Sequence, residues 1–515
     1  MAAVNVRTVL YVWGRNSHGQ CGEINDDYQP TGSPTVAMPR AIELPLSVTA
    51  IACGTGQQGC TFAVLEDGSL YTFGNNYGGR LGHPKNINES GNLAYCSKPR
   101  RVEALGNVRV VGACCSNSHA MCLTDDGIVY SWGRQGNTGC LGRIDVQPKE
   151  YALPGVVKLP NEATHIDCES GVSAAVVSGG LFIWGSDMVD RTPTFRLGLH
   201  NKEKKKSDVT VCEPTHVPMP DECGAVRAIS LGSLYSAAVC DLLAANDQTC
   251  VCTWGYGGHG NLGHGNRRNQ PLPKRILGES GSSFAAETAM RAVACTRGQE
   301  GLKGGLYPRA NGTEGPHTMV IGASGSLYTF GTCHKGLLAN LGPKTGGFGA
   351  EGLDELHPYK VGAARPRNAP KQTKKSVPRA YAPLSPYACW PPERYATEPG
   401  PLVAIASGHI HAASLGVDGR LWAWGCGSND GRCGVERFLN MKGEGHEPAV
   451  DSMKCYMMGP HRVGIARPPY WPSGPSLDGV HITAVATGRN HMAAIGEPGI
   501  GMPAEILNRE IKKAS

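Results

Sequence analysis

The chain has 515 residues, a formal net charge of +6 and 40 % hydrophobic residues, which is enough for a sizeable core. Gly and Pro together make up about a fifth of it, and this excludes a mostly helical fold because both residues disfavour helix interiors. No stretch approaches the ~18 apolar residues of a membrane helix, so membrane insertion is not expected, and the modest positive charge favours an acidic protein partner over nucleic acid.

The first residues, MAAVNVRTVLYVWG, resemble neither a signal peptide nor a transit peptide. A cytoplasmic location is therefore expected, with the nucleus as the alternative, and the 20 cysteines are expected to be reduced thiols. None are spaced C-x-x-C. Cys114-Cys115 and Cys250-x-Cys252 lie in strand patterns and are interpreted as small apolar side chains, so no metal site is predicted.

In chain order, a short strand pattern that ends in an aromatic–glycine pair recurs seven times. The pairs are Trp13-Gly14, Phe73-Gly74, Trp132-Gly133, Trp184-Gly185, Trp254-Gly255, Phe330-Gly331 and Trp424-Gly425. A strand rich in small residues precedes most of them and leads into Asp-Gly or Gly-Gly, as in 50–68, 110–127, 165–180 and 404–419. This is the pattern of a β-hairpin. Gly-rich loops and Pro-containing segments, such as 98–105, predict further strands in each unit.

Several strands in each of seven units predict an all-β, seven-bladed β-propeller. The first aromatic strand, 9–14, has no small-residue strand before it. The last small-residue strand, 481–496, has no aromatic strand after it. We expect these two segments to pair, which closes the ring and removes the free sheet edges.

The combination of small-residue strand, Gly-x-x-His, Asp-Gly, aromatic-Gly and Gly-x-Leu-Gly resembles the repeats of the regulator of chromosome condensation (RCC1) family. Clear Gly-x-x-His copies run from Gly408 to His411 and from Gly488 to His491, and the resemblance extends over about 9–496. WD and Kelch repeats fit less well, because the pair is Trp-Gly and the unit is longer than the ~40–45 residues of a WD repeat. The resemblance implies a seven-bladed propeller.

One propeller domain is predicted for 1–496, followed by a tail, 497–515, that contains a short helix. Insertions are expected at about 187–212, 266–290, 297–316, 342–401 and 435–479. Basic and aromatic side chains in these insertions are either solvated or contact a partner. The candidate partner-binding residues are Lys204, Lys205, Lys206, Arg267, Arg268, Lys374, Lys375, Trp390 and Trp471.

The function favoured by these features is a non-enzymatic protein-interaction scaffold, a docking hub within a larger assembly. Relatives of this type occur in ciliary and microtubule-linked assemblies, so the partner is expected to be an acidic surface such as tubulin or a small GTPase. No catalytic residue, cofactor, metal or small-molecule substrate is predicted. The match of Gly258, Gly260 and Gly263 to a dinucleotide-binding fingerprint is discounted, because no helical pattern follows it.

The resemblance also implies an alternative function, guanine-nucleotide exchange on a Ran-like GTPase. In the family, exchange uses an acidic residue just before a repeat histidine and a β-wedge inserted after one Trp-Gly pair. Here Asn117 stands where the acid is expected. In the next repeat we assign Ser173 and Ala174 to the acid and histidine positions, and a wedge-like extension follows Trp184.

Overall fold

The computed structural model describes most of the repeat region. The residues it describes are 7–23, 35–56, 59–83, 95–134, 138–144, 147, 150–189, 192–199, 210–245, 247–298, 316–332, 338, 354–361, 401–426, 433, 456–462, 477 and 479–498. All structural statements below refer to these residues. The predicted tail helix and the Pro-rich part of the 342–401 insertion lie outside them, so the predicted domain boundaries stay predictions.

The described strands form seven four-stranded antiparallel sheets, which we call blades 1 to 7. The chain begins with β1 (Val9–Arg15) and β2 (Thr35–Ile42). Blade 2 contains β3 (Val48–Cys53), β4 (Cys60–Leu65), β5 (Leu70–Asn75) and β6 (Tyr95–Arg101). Blade 3 contains β7 (Val110–Cys115), β8 (His119–Thr124), β9 (Val129–Gly133) and β10 (Gly155–Val156). Blade 4 contains β11 (Ala163–Glu169), β12 (Val172–Val177), β13 (Gly180–Ser186) and β16 (Thr210–His216), and a two-stranded hairpin, β14 (Met188–Val189) with β15 (Thr192–Pro193), is inserted before β16.

Three further sheets complete the ring. Blade 5 contains β17 (Cys223–Leu231), β18 (Tyr235–Leu242), β19 (Thr249–Gly255) and β20 (Gln270–Arg275). Blade 6 contains β21 (Met290–Cys295), β22 (His317–Gly322), β23 (Leu327–Thr332) and β24 (Asp354–Lys360), and blade 7 contains β25 (Leu402–Ser407), β26 (His411–Gly416), β27 (Leu421–Cys426) and β28 (Tyr456–Arg462). The last strands, β29 (Val480–Thr487) and β30 (His491–Pro498), join β1 and β2 in blade 1. Two short 3-10 turns, Tyr77–Gly79 and Glu103–Leu105, occur among the described residues. No helix among these residues has the length and apolar character that spanning a membrane requires.

The ring closes through the pairing of the first strand with the last. Strand β1 pairs antiparallel with β30, with Val9 opposite Gly496 and Gly14 opposite His491. The first strand of each blade also contacts the first strand of the next blade, and this series returns from β29 to β3. The predicted seven-bladed propeller, closed by segments 9–14 and 481–496, is therefore confirmed.

The glycine of each aromatic–glycine pair has a conformation that a side chain would disrupt. All seven glycines have positive φ values, from 99° at Gly425 to 121° at Gly185, a backbone region that L residues rarely adopt. A Cβ on Gly14 would lie 2.6 Å from the carbonyl oxygen of Asn490, and one on Gly425 would lie 2.6 Å from that of Ile410. The glycine thus lets the third strand of a blade approach the loop that precedes its second strand.

The aromatic residue of each pair fills the layer between two blades. All seven aromatic side chains are fully buried. Trp132 of blade 3 stacks on Phe62 of blade 2, with ring centroids 6.2 Å apart. Trp254 of blade 5 packs against blade 4 residues such as Ala174 and Ile183. Large flat side chains bury the most apolar area per residue, so the repeated aromatic residues supply the packing that joins neighbouring blades.

Candidate interaction face

The strand order places two sets of loops at the same end of the propeller. In an antiparallel sheet, the loop between the first and second strands and the loop between the third and fourth strands lie at the same end of the strands. We call the end formed by these loops face A, and the opposite end, formed by the second-to-third-strand turns and the connections between blades, face B. Face A includes Thr55, Asn117, Ser170, Ser233 and Arg297 in the inner loops, and Tyr77, Arg134, Arg196, Arg267 and Arg268 in the outer loops.

The centre of face A is tied together by the carboxylate of Glu169. This residue ends the inner strand β11 of blade 4 and is fully buried. It accepts hydrogen bonds from Thr55 Oγ1 in blade 2 at 2.6 Å, from Ser233 Oγ in blade 5 at 2.9 Å and from the backbone N–H of Gly298 after β21 at 3.0 Å. One carboxylate therefore joins loops from four blades, including loops that are not neighbours in the ring.

A second acidic residue, Asp167, lies two positions earlier on the same strand and forms an ion pair with Arg297. Its Oδ2 also accepts the backbone N–H of Leu231 at 2.8 Å. Burial disfavours the charged guanidinium of Arg297, but the carboxylates of Asp167 and Glu169 more than offset this and raise its pKa. The charges at the axis are thus paired and hydrogen-bonded, as buried charges need to be.

The residues that begin the second strands occupy equivalent positions in all blades. Each pairs with the glycine of the aromatic–glycine pair in its own blade. They are Cys60, His119, Val172, Tyr235, His317, His411 and His491. The assignment of Ala174 to the histidine position was wrong, because the strand pairing places Val172 there. Ser173 is the next residue along the strand rather than the counterpart of Asn117.

Three of the histidines at this position, His119, His317 and His491, join neighbouring blades. His119 Nδ1 lies 2.8 Å from Ser116 Oγ in its own blade, and its Nε2 lies 2.8 Å from Ser173 Oγ in blade 4. His317 repeats the arrangement with Thr296 at 2.9 Å and Ser407 of blade 7 at 3.1 Å. Each of these two imidazoles is thus a bridge whose two ring nitrogens contact hydroxyl groups of two neighbouring blades, and a hydroxyl can donate or accept.

Burial keeps His119, His317 and His491 neutral. It lowers the pKa of His119 to about 3, that of His317 to about 3 and that of His491 to about 4. Nearby cations act in the same direction, Arg196 on His119 and Arg80 on His491.

We expect the free energy of unfolding to decrease as the pH drops below 6.5. The three histidines then bind protons in the unfolded chain, whereas in the folded chain they bind protons only at pH 3–4. Each of the three histidines should cost about 1.4 kcal/mol at pH 5.5 relative to pH 7.5. The measurement is the free energy of unfolding at both pH values. His317→Gln should reduce the pH dependence. An unfolding free energy that is equal at the two pH values would contradict the assignment.

Two buried arginines fix the outer loops of face A. Arg80 donates from Nη1 to the carbonyl oxygen of Asn117 at 2.8 Å, which links blade 2 to blade 3. Arg196 donates to the carbonyl oxygens of Ser170 at 2.8 Å and Ser233 at 2.6 Å, which links blade 4 to blade 5. Asn117 therefore lies beside a structural contact between blades.

Arg196 also supports the base of the β14–β15 hairpin. Its backbone N–H donates to Asp187 Oδ1 at 2.7 Å, and Thr194 Oγ1 lies 3.0 Å from the same oxygen. Burial raises the pKa of Asp187, although the charge of Arg196 opposes the shift. The wedge-like extension predicted after Trp184 is thus a hairpin on face A whose base is held by buried polar contacts.

Two of the nine predicted partner-binding residues lie among the described residues. Arg267 and Arg268 are exposed on face A, in the loop between β19 and β20. Lys204, Lys205, Lys206, Lys374, Lys375, Trp390 and Trp471 lie outside the described residues. The described strands of blade 4 that flank 204–206 in the sequence, β13 and β16, end and begin at face A, whereas those that flank 374–390 (β24 and β25) and 471 (β28 and β29) end and begin at face B.

The sequence interpretation missed the charged residues at the axis. Asp167 and Glu169 lie within the small-residue segment 165–180, and Arg297 lies at the start of the predicted insertion 297–316. Their spacing of two residues places both carboxylates on one face of β11, and acidic residues in an otherwise small and apolar strand were the available signal.

The chain is a closed seven-bladed β-propeller built from aromatic–glycine repeats, and comparisons with known proteins agree. The family model described as "Regulator of chromosome condensation (RCC1) repeat" matches residues 9–60, 67–123, 126–176 and 250–298. Four segments of the chain therefore match RCC1 repeats by sequence. Human WBSCR16 has a similar crystal structure, with a TM-score of 0.63 and 18 % identity over 96 % of this chain and 100 % of that one. Prp20p from Saccharomyces cerevisiae, described with its binding properties to Gsp1p and histones, has a TM-score of 0.62 and 17 % identity over 99 % of this chain and 96 % of that one.

Sequence relatives cover part of the chain. The human E3 ubiquitin-protein ligase HERC2 is 31 % identical over 310 residues, which is 58 % of this chain and 6 % of HERC2. The mitochondrial RCC1 domain-containing protein RUG3 of Arabidopsis thaliana is 26 % identical over 301 residues, which is 56 % of this chain and 60 % of RUG3. The chain thus spans less than two thirds of the length of either relative.

Proposed function

We propose that this chain is a non-enzymatic interaction scaffold that docks an acidic protein surface on face A within a larger assembly. The observation that carries this proposal is a contrast between two sets of polar side chains. Those of the repeats, such as His119, His317 and Glu169, are buried in bonds between blades. The cations Arg267 and Arg268, which stand outside the repeat pattern, are exposed on face A.

Charge supports the class of partner. The chain carries a net charge of +6, and an exposed Arg pair on a rigid support favours carboxylate-rich surfaces. We propose a cytoplasmic assembly of the cytoskeletal or ciliary kind, with tubulin as the acidic surface; the nucleus is the alternative location. Prp20p, which is described with its binding properties to Gsp1p and histones, is a precedent for protein binding by a propeller of this fold.

A charge-reversal pair tests the proposal. Arg267→Glu with Arg268→Glu should weaken binding of the full-length chain to purified tubulin by about 10-fold or more, because each exposed charge contact contributes up to about 1 kcal/mol and reversal adds repulsion. The matched control is Arg109→Glu with Arg420→Glu, which makes the same charge change at exposed positions on face B. Equal weakening by the two pairs would contradict a site on face A.

Crosslinking in cells tests the assembly independently of tubulin. Lysines at 202–206 or 371–375 should be recovered joined to a stable set of other proteins. Recovery of the free monomer alone would contradict the scaffold function.

The β14–β15 hairpin favours a second candidate function, nucleotide exchange on a Ran-like GTPase. It follows a Trp-Gly pair, as the family's β-wedge does, and its base is fixed by Asp187 and Arg196. Asn117 lacks the negative charge of the family's acid and carries a backbone contact to Arg80. The test is release of labelled nucleotide from a Ran-like GTPase by catalytic amounts of the chain. The scaffold proposal expects no acceleration; acceleration that Met188→Ala with Val189→Ala abolishes would establish exchange instead.

A further inference from the structure

Four cysteines from three adjacent strands of blade 5 lie together in the layer between blades 4 and 5. Cys223 begins β17, Cys240 lies in β18, and Cys250 and Cys252 lie in β19. Cys240 and Cys250 are directly opposite each other in the strand pairing. Cys250 and Cys252 are two residues apart, so their side chains point to the same side of the sheet.

The distances between the sulfur atoms match those of a metal–thiolate site. Cys223 Sγ lies 3.6 Å from Cys250 Sγ and 3.5 Å from Cys252 Sγ, and these three sulfurs all lie within 4.8 Å of one another. Cys240, which faces Cys250 in the strand pairing, lies beside this group of three sulfurs but outside it. Zn²⁺ bound by four thiolates at ~2.3 Å in tetrahedral geometry holds its sulfurs about 3.8 Å apart. Three of the thiols are therefore close to ligand positions without movement of the strands, and Cys240 on the neighbouring strand would reach the fourth position by rotation of its side chain.

A cation lies beside the cluster. Arg275 faces Cys252 in the strand pairing, and its buried Nε has no hydrogen-bond partner among the described residues. Thiolate is the form that binds metal ions, and this cation offsets part of the negative charge that four thiolates around Zn²⁺ would leave.

The cluster is buried but lies near the surface. Cys240 and Cys252 are fully buried, whereas Cys223 and Cys250 retain exposed fractions of 9 % and 4 %. Cys223 follows directly after the connection from blade 4, at face B. An ion can thus reach the cluster from one side, and the apolar layer on the other side, which includes Val226 and Leu181, excludes water.

We propose that Cys223, Cys240, Cys250 and Cys252 form a structural zinc site that fastens the first three strands of blade 5. Binding forms four Zn–S bonds, releases the thiol protons to solvent and involves no oxidation or reduction. This inference does not depend on the scaffold function, since the site lies at face B and between blades.

The test uses the full-length chain, purified with reductant and stripped of metal. Zn²⁺ should bind with a stoichiometry of one per chain in competition with a chromophoric chelator and should raise the melting temperature. Co²⁺ in its place should give the thiolate charge-transfer and intense visible bands of a tetrahedral cobalt–sulfur site. Absence of binding, an octahedral cobalt spectrum, or a disulfide between any two of the four cysteines in the freshly purified chain would overturn the proposal.

Substitutions locate the site. Cys250→Ser with Cys252→Ser should weaken Zn²⁺ binding by about 100-fold or more. Cys122→Ser, which removes an equally buried thiol in blade 3, should leave binding unchanged. Should the double variant fail to fold, mass mapping of alkylation in the native-sequence chain decides the question. Zn²⁺ should protect the four cysteines of the cluster and no others, and protection elsewhere, for example at Cys60 and Cys115, would overturn the assignment.

Discussion

Gly133→Ala is expected to destabilise the protein by about 3–5 kcal/mol, because it combines a strained backbone with an overpacked contact. Gly133 has φ +115°, and an added Cβ would lie 2.6 Å from the carbonyl oxygen of Ser118 and 2.7 Å from the Cα of His119. Both neighbours are backbone atoms, so a side-chain rotation cannot relieve the clash. The third strand of blade 3 would have to move away from the second.

The matched control is Gly112→Ala in the same blade. Gly112 lies in β7, its φ is not positive, and an added Cβ there would meet no atom within 4 Å. We expect the control to change stability by less than about 0.5 kcal/mol. Urea denaturation of the two variants checks the pair. Equal midpoints for Gly133→Ala and Gly112→Ala would show that the aromatic–glycine pair is not a conformational requirement of the blade.

Trp254→Ala is expected to cost about 3–5 kcal/mol, because it empties the layer between blades 4 and 5. The indole is fully buried, and its Nε1–H donates to the carbonyl oxygen of Arg196 at 2.8 Å. The same bond recurs from Trp132 to Arg80 and from Trp184 to Cys140. In each case the aromatic residue of one blade is bonded to the outer loop of the preceding blade.

Trp254→Phe separates packing from hydrogen bonding. Phenylalanine occupies the equivalent position at Phe73 and Phe330, so we expect it to keep most of the packing and to cost about 1–2 kcal/mol through the lost bond. Denaturation midpoints should therefore fall in the order native, Trp254→Phe, Trp254→Ala. If alanine and phenylalanine cost the same, the hydrogen bond rather than the filled layer would hold the blades together.

The parts of the fold predicted from the sequence are those that repeat. The aromatic–glycine pairs mark a backbone conformation and a packed layer that each blade needs, so seven pairs indicated seven blades. The half-repeats at 9–14 and 481–496 indicated closure, because each lacked the strand that the other provides.

The contacts that were not predicted depend on bringing distant residues together. Glu169 and Thr55 are 114 residues apart in the sequence. They form a hydrogen bond because the closed ring brings the first strands of blades 2 and 4 close to the same central axis. Cys223 and Cys250 are 27 residues apart and come together through the strand pairing of blade 5. No short sequence motif contains both, so their contact could not be predicted from the sequence. The error at Ala174 has a local cause: Ser170 and Gly171 both have positive φ values, and this tight turn starts β12 two residues earlier than the pattern of small residues indicated.

Hydrogen exchange of the full-length chain tests the closed ring most directly, because the fold, face A and the blade 5 cluster all depend on it. Strand β1 lies between β30 and β2 and pairs with both. Its amides, 9–15, should therefore be protected as strongly as those of β5, 70–75, which is the equivalent strand of blade 2. Exchange of 9–15 at the rate of an unpaired segment, while 70–75 stays protected, would contradict closure of the propeller by its first and last strands.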